Sequence, residues 1–176
     1  MNLDQIMTRA QFSPCLQYRY TLPRWFESSA LRDRICLFVC LNPSTADDER
    51  NDPSVSRMIG YAQGWGYDGL LVGNAYAYRS TDPRGLKRMG YPIGQDNDAW
   101  LVAMAKLASL TVIAWGNHCT PARAERVRSL LQDAGADLHY LKLTKRGEPW
   151  HPLYLRKDLS PQPWAKRSPS PVIACA

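Results

Sequence analysis

The chain has 176 residues, of which 45% are hydrophobic and 22% charged, a balance that suits one globular domain with an adequate core and leaves little room for two. No stretch approaches the roughly 18 to 20 consecutive apolar residues that span a bilayer, and Asp4, Gln5 and Arg9 stand where a secretory leader is apolar, so a cytoplasmic, non-membrane protein is expected. Its 22 basic against 16 acidic residues give a net charge of +6, which leans toward a polyanionic partner, while five cysteines without a C-x-x-C pair support neither disulfides nor zinc.

In chain order, residues 1 to 34 read as an extension packed on the core. Within it Tyr18-Arg19-Tyr20-Thr21-Leu22-Pro23-Arg24-Trp25 alternates arginine with aromatic residues at strand period. Two readings stand for it: an edge strand covering the sheet, or a surface that meets phosphates and stacks on bases. Ile35 to Leu41 is an apolar run with the length of a strand buried on both faces, and Cys36 and Cys40 within it read as small hydrophobes. The run stops at Asn42-Pro43. In open α/β sheets ligands bind outside the carboxyl ends of the strands, which makes Asn42 and the following Ser44 candidates for a site.

A long polar loop, residues 45 to 52, follows and carries Asp47. Asp52-Pro53 then announces a helix, with Asp52 as its cap and Val55, Met58, Ile59, Ala62 and Trp65 at core spacing. Gly69 to Asn74 repeats the opening pattern, an apolar run ending in asparagine. The loop after it bears Tyr76, Tyr78 and Arg79, and Asp82-Pro83 starts a short basic helix. Gln95 to Asp98 caps a helix through Trp100, Leu101, Met104, Ala105 and Leu107. Leu110 to Trp115 is a third strand with Gly116-Asn117-His118-Cys119 at its end, and Thr120-Pro121 opens a helix that exits at Gly135. Asp137 to Leu143 alternates as an outer strand does. Residues 144 to 155 are rich in turn formers and basic on both flanks. The α/β domain is therefore expected to close at residue 158, with residues 159 to 176 a disordered tail.

Strands alternating with helices imply a three-layer α/β sandwich around a central, mainly parallel four-stranded sheet, which places every strand's carboxyl end on one edge. Asn42, Asn74, Asn117, His118 and His151 gather there. Asparagine offers a donor and an acceptor together and histidine donates to a carbonyl oxygen, which is what reading a nucleobase edge requires. Taken singly, Asn42 and Asn74 read equally well as loop caps.

Several motifs carry a resemblance. Leu41-Asn42-Pro43 resembles the first motif of the uracil-DNA glycosylase superfamily, whose mismatch-specific branch has Asn-Pro at that point. Leu70 to Asn74 is similar to the strand ending in that family's base-reading asparagine, Val112 to His118 to its Leu-Leu-Trp-Gly segment, and His151-Pro152-Leu153 to its DNA-inserting His-Pro motif, which here lacks the serine and the second proline. The whole pattern resembles still more closely the group called domain of unknown function 1643, which brings no activity with it. The glycosylase resemblance implies a metal-free, cofactor-free monomer that flips a base from DNA and hydrolyses its N-glycosidic bond. On that basis Asn42 holds water, His151 donates to the leaving base, and Asp47 or Asp52, the latter more simply a helix cap, supplies from the neighbouring loop the carboxylate that Asn42 lacks. Asn74, Asn117 and His118 read the base, with Tyr61 or Tyr76 stacking on it. Ser44, Arg79, Lys145, Arg146, Leu153, Arg156 and Lys157 engage the DNA backbone or wedge the stack. Two other classes stay open: a nucleotide or modified-DNA binding module without turnover, and an enzyme acting on free nucleosides or nucleotides.

Overall fold

The computed structural model describes residues 3–26 and 33–164, and the expectations for residues 27–32 and for 165–176 lie outside the described residues. A short helix α1 (Leu3–Thr8) and strand β1 (Gln11–Phe12) lead into β2 (Arg19–Trp25) and β3 (Ile35–Cys40). Then come α2 (Pro53–Gly64), β4 (Gly69–Asn74), α3 (Pro83–Arg88), α4 (Asn97–Leu107), β5 (Leu110–Ile113), α5 (Pro121–Asp133), β6 (Leu138–Tyr140) and β7 (Gln162–Pro163). The sheet has seven strands in the order β1-β2-β4-β3-β5-β6-β7. Its middle four, β4-β3-β5-β6, are parallel, whereas β1, β2 and β7 join antiparallel.

The expectation of a four-stranded sheet is thus corrected to a seven-stranded mixed one. Its parallel heart is as expected, and the additions come from segments whose periodicity is weak. The Tyr18–Trp25 stretch is not an edge, because β1 flanks it, and it is not a phosphate-facing surface either. Arg19 is buried and donates from Nη1 to the carbonyl of Ala46 at 2.6 Å. Arg24 donates to Asn51 Oδ1 at 2.7 Å and to the carbonyl of Asp47, pinning the polar loop. Burial draws the Arg19 guanidinium down to about 10, with Asp52 opposing, so it stays charged at neutral pH. At the other end, β7 pairs with β6 and Trp164 packs edge-on against Tyr140 at 5.8 Å, so the ordered sheet runs past the boundary expected at residue 158.

Strand alternation divides the core in two. Leu37 and Val39 face Leu101, Met104, Val127 and Leu131 of α4 and α5, while Cys36, Phe38 and Cys40 face Val55, Met58, Tyr61 and Ala62 of α2. Helices on both faces make the three layers. Desolvation pushes the Cys40 thiol up to about 12 and Cys36 further still, so both behave as hydrophobes. Asp52 caps α2 by accepting from Val55 N at 2.8 Å, and Thr120 caps α5. Asp96 precedes α4 without a side-chain cap.

The direction of the crossovers positions the site. From β3 the chain turns to the α2 face and returns as β4 on one side; from β5 it turns to the α5 face and returns as β6 on the other. The carboxyl ends of β3 and β5 are adjacent strands whose exits diverge, which opens a crevice between them.

Candidate functional site

That crevice is a cleft of about 1210 Å³. Leu41, Asn42, Ser44 and Thr45 line it from the exit of β3, and Trp115, Gly116, Asn117 and His118 from the exit of β5. Asp52, Pro53 and Ser54 enter from the start of α2, Ser80 and Thr81 from the loop after β4, and the stretches 142–146 and 150–154 close the far side.

Asn42 is half-buried. Its Nδ2 donates to the carbonyl of Ser80 at 2.7 Å and of Pro43 at 3.0 Å, which fixes the amide and leaves Oδ1 as an acceptor without a recorded partner among the described residues. Asp52 is 8% exposed; Oδ1 is spent on the α2 cap, and its carboxylate is the acidic group lining the cleft. His151 starts a short 3-10 turn (Pro152–Tyr154), and its Nδ1 accepts from Leu153 N at 3.4 Å. Burial lowers the imidazole below its ordinary value, with Asp52 pulling the other way. The network therefore assigns the neutral tautomer with the proton on Nε2, a donor.

The far wall is stitched to the exit of β5. Gly116 N donates to the carbonyl of Pro149 at 2.8 Å, Trp115 Nε1 to Glu148 Oε2 at 3.0 Å, and Thr144 Oγ1 to Asn117 Oδ1 at 2.7 Å. Thr144 Oγ1 also accepts from the backbone of Arg146 and Glu148, each at 3.2 Å. One hydroxyl thereby organises the turn that holds Lys145 and Arg146 at the rim. Lys142 Nζ lies 5.2 Å from the ring centre of Trp150, so cation and aromatic stand together.

Of the candidates from the sequence, Asn42, Ser44, Asn117, His118, Lys145, Arg146, His151 and Leu153 meet in this cleft. The others do not. Asn74 is 1% exposed at the end of β4, off the cleft, and its carbonyl accepts from Asn97 Nδ2 at 3.0 Å; its own Nδ2 has no partner. Tyr61 is packed on Phe38 and Trp65, with its hydroxyl donating to the carbonyl of Arg156, so neither ring face is open to a base. Tyr76 is buried against Tyr91, its hydroxyl 2.9 Å from Thr120 Oγ1. Asp47 accepts from Glu49 N and Arg50 N, contacts that hold its carboxyl below the usual range and confine it to its own loop. Arg79 lies over Phe12 at 5.1 Å, and Arg156 is paired with Asp158 at 2.6 Å. Lys157 lines a separate hollow.

From the sequence Asp52 is first a helix cap and, beside Asp47, an alternative carboxylate; the structure puts Asp52 and not Asp47 on the cleft. Sequence reasoning missed Trp150 and Tyr154, 38% and 83% exposed at the rim, whose exposure no periodicity betrays because they sit in a turn. Among the described residues no group of three or more His, Cys, Asp or Glu side chains is placed to hold a metal ion, and no helix is long and apolar enough to cross a membrane.

Fold and site together define an α/β domain with a large, cation-rimmed cleft at the switch point of a mixed sheet, carrying a neutral histidine, a half-spent carboxylate and a fixed amide. The chain belongs to the family described as Protein of unknown function (DUF1643), whose profile covers residues 19–153. Neither the curated proteins nor the solved structures searched contain a match to it.

Proposed function

We propose that this cleft takes up a nucleotide everted from DNA and hydrolyses its N-glycosidic bond. The observation that carries the reading is the pairing of a neutral, donor-bearing His151 with the Asp52 carboxylate and the free Oδ1 of Asn42 in one cleft. The motif order similar to uracil-DNA glycosylases adds to it. In this reading the base leaves with the bonding pair, steadied by the Nε2 proton of His151 on a base oxygen. A water held by Asn42 Oδ1 bonds to the sugar carbon, and its proton passes to the departing base through solvent. The Asp52 carboxylate, buried and negative, stabilises the sugar cation between those two events, the role expected of Asp47 or Asp52. Trp150 and Tyr154 replace Tyr61 and Tyr76 as the stacking faces, and Asn117 and His118 read the base edge without Asn74.

Oligonucleotides carrying uracil, mismatches or modified bases, followed by alkaline cleavage of abasic sites, test this. Wild-type protein is expected to cut, and Asn42→Ala and His151→Gln to lose about 10²- to 10⁴-fold in rate while remaining folded. Excision at wild-type rate by both variants removes the mechanism. A second reading, a modified-base reader without turnover, is favoured by one observation: Asp52 Oδ1 and Asn42 Nδ2 are already committed to the scaffold. A reader shifts the band and leaves no abasic site.

A further inference from the structure

Next to the main cleft lies a second hollow of about 430 Å³, lined by Pro53, Ser56, Arg57, Gly60, Tyr61, Leu153 and Lys157. Pro53 and Leu153 line both, so the two hollows adjoin across that proline and leucine. The second hollow contains two cations and no acidic side chain. Among the described residues neither Arg57 nor Lys157 is in an ion pair, and the nearby Asp158 is taken up by Arg156 through both carboxylate oxygens. Gly60 sits on the exposed side of α2, where a Cβ meets nothing within 4 Å. A mid-helix glycine costs about 1 kcal/mol relative to alanine, and no neighbour's packing accounts for it here. Its effect is to lower the helix surface between Arg57 and Lys157.

From this we infer that the second hollow seats the phosphodiester backbone flanking the nucleotide in the main cleft, so that a polynucleotide strand crosses over Leu153 from one hollow to the next. The inference rests on the main cleft being a nucleotide site. Two cations outside any ion pair in a depression adjoining that cleft match the charge of a sugar–phosphate chain, and a free mononucleotide leaves them without a partner.

The test compares a labelled oligodeoxynucleotide of about a dozen nucleotides with a deoxynucleoside monophosphate, by anisotropy and calorimetry across a salt series, for the full chain and for Arg57→Ala with Lys157→Ala. The double variant is expected to bind the oligonucleotide more weakly, with a salt slope shallower by roughly 1.4 to 1.8, the share of two phosphate contacts. Its loss is expected in the oligonucleotide arm alone. Gly60→Glu, which fills the depression with an opposing charge on an unstrained helical position, is expected to give the same selective loss without lowering the melting temperature. An unchanged slope in the double variant, or equal affinity of the wild type for the two ligands, overturns the inference and leaves the main cleft a nucleotide site. Wild-type protein that binds neither ligand overturns that reading as well.

Discussion

At the scale of single residues, Asp52 does two jobs that substitution separates. As a cap it satisfies a backbone N–H at the start of α2, and as a carboxylate it charges the cleft beside His151. Asparagine caps a helix about as well as aspartate, whereas alanine does not. Asp52→Asn is therefore expected to keep the melting temperature within the error of a thermal scan while abolishing the base excision proposed for the cleft. Asp52→Ala is expected to lose about 1 kcal/mol of stability as well, read by denaturant unfolding. Equal destabilisation by both variants contradicts the division. The same residue shows where sequence stops: Asp-Pro before an apolar stripe is legible as a cap and Asp52 as one of two available carboxylates, but nothing in the string tells which of Asp47 and Asp52 borders a cleft built from residues sixty and a hundred positions onward.

At the scale of elements, the loop after β5 is held by a backbone conformation that one glycine supplies. Gly116 has φ +69, and a Cβ there meets no atom within 4 Å, so substitution costs conformation and not contact. Gly116→Ala is expected to lower stability by about 1 to 2 kcal/mol in chemical denaturation and to loosen the Asn117–Thr144 and Gly116–Pro149 bonds that shape the rim. A variant as stable as the parent shows that the loop relaxes freely. The parallel strands and the three longer helices were legible because their apolar runs are strong local signals, reinforced for α2 and α5 by Asp-Pro and Thr-Pro starts. The two-residue strands β1 and β7 were not, since pairing alone defines them and two residues carry no period. Asn74, Tyr61 and Tyr76 illustrate the same limit within the site. Each occupies the right place in sequence for a functional role, yet lateral packing turns its side chain inward.

At the scale of the whole molecule, acidification is expected to act through His151. Burial keeps its imidazole below the ordinary value near 6.5, so as pH falls the unfolded chain takes up this proton before the folded one does. Stability is then lost from about pH 6.5 downward until the lowered folded value is passed, and it is fully present above that window. Thermal scans between neutral and mildly acidic pH check the sign: the melting temperature falls for the parent and falls less for His151→Gln, in which the titrating group is gone. An identical pH dependence in the two proteins assigns the acid sensitivity elsewhere.

The divergence of the chain on leaving β3 and β5 has one more consequence. Because α2 and α5 depart toward opposite faces, the hollow between those strands originates in backbone routing, and side-chain bonds such as Thr144–Asn117 and Asn42–Ser80 only trim its walls. A chain that keeps the routing is expected to keep a hollow here while individual lining residues change. Drift in the lining thus retunes what the vacancy admits without endangering the scaffold, and chemistry and architecture in such a protein are free to change at different speeds.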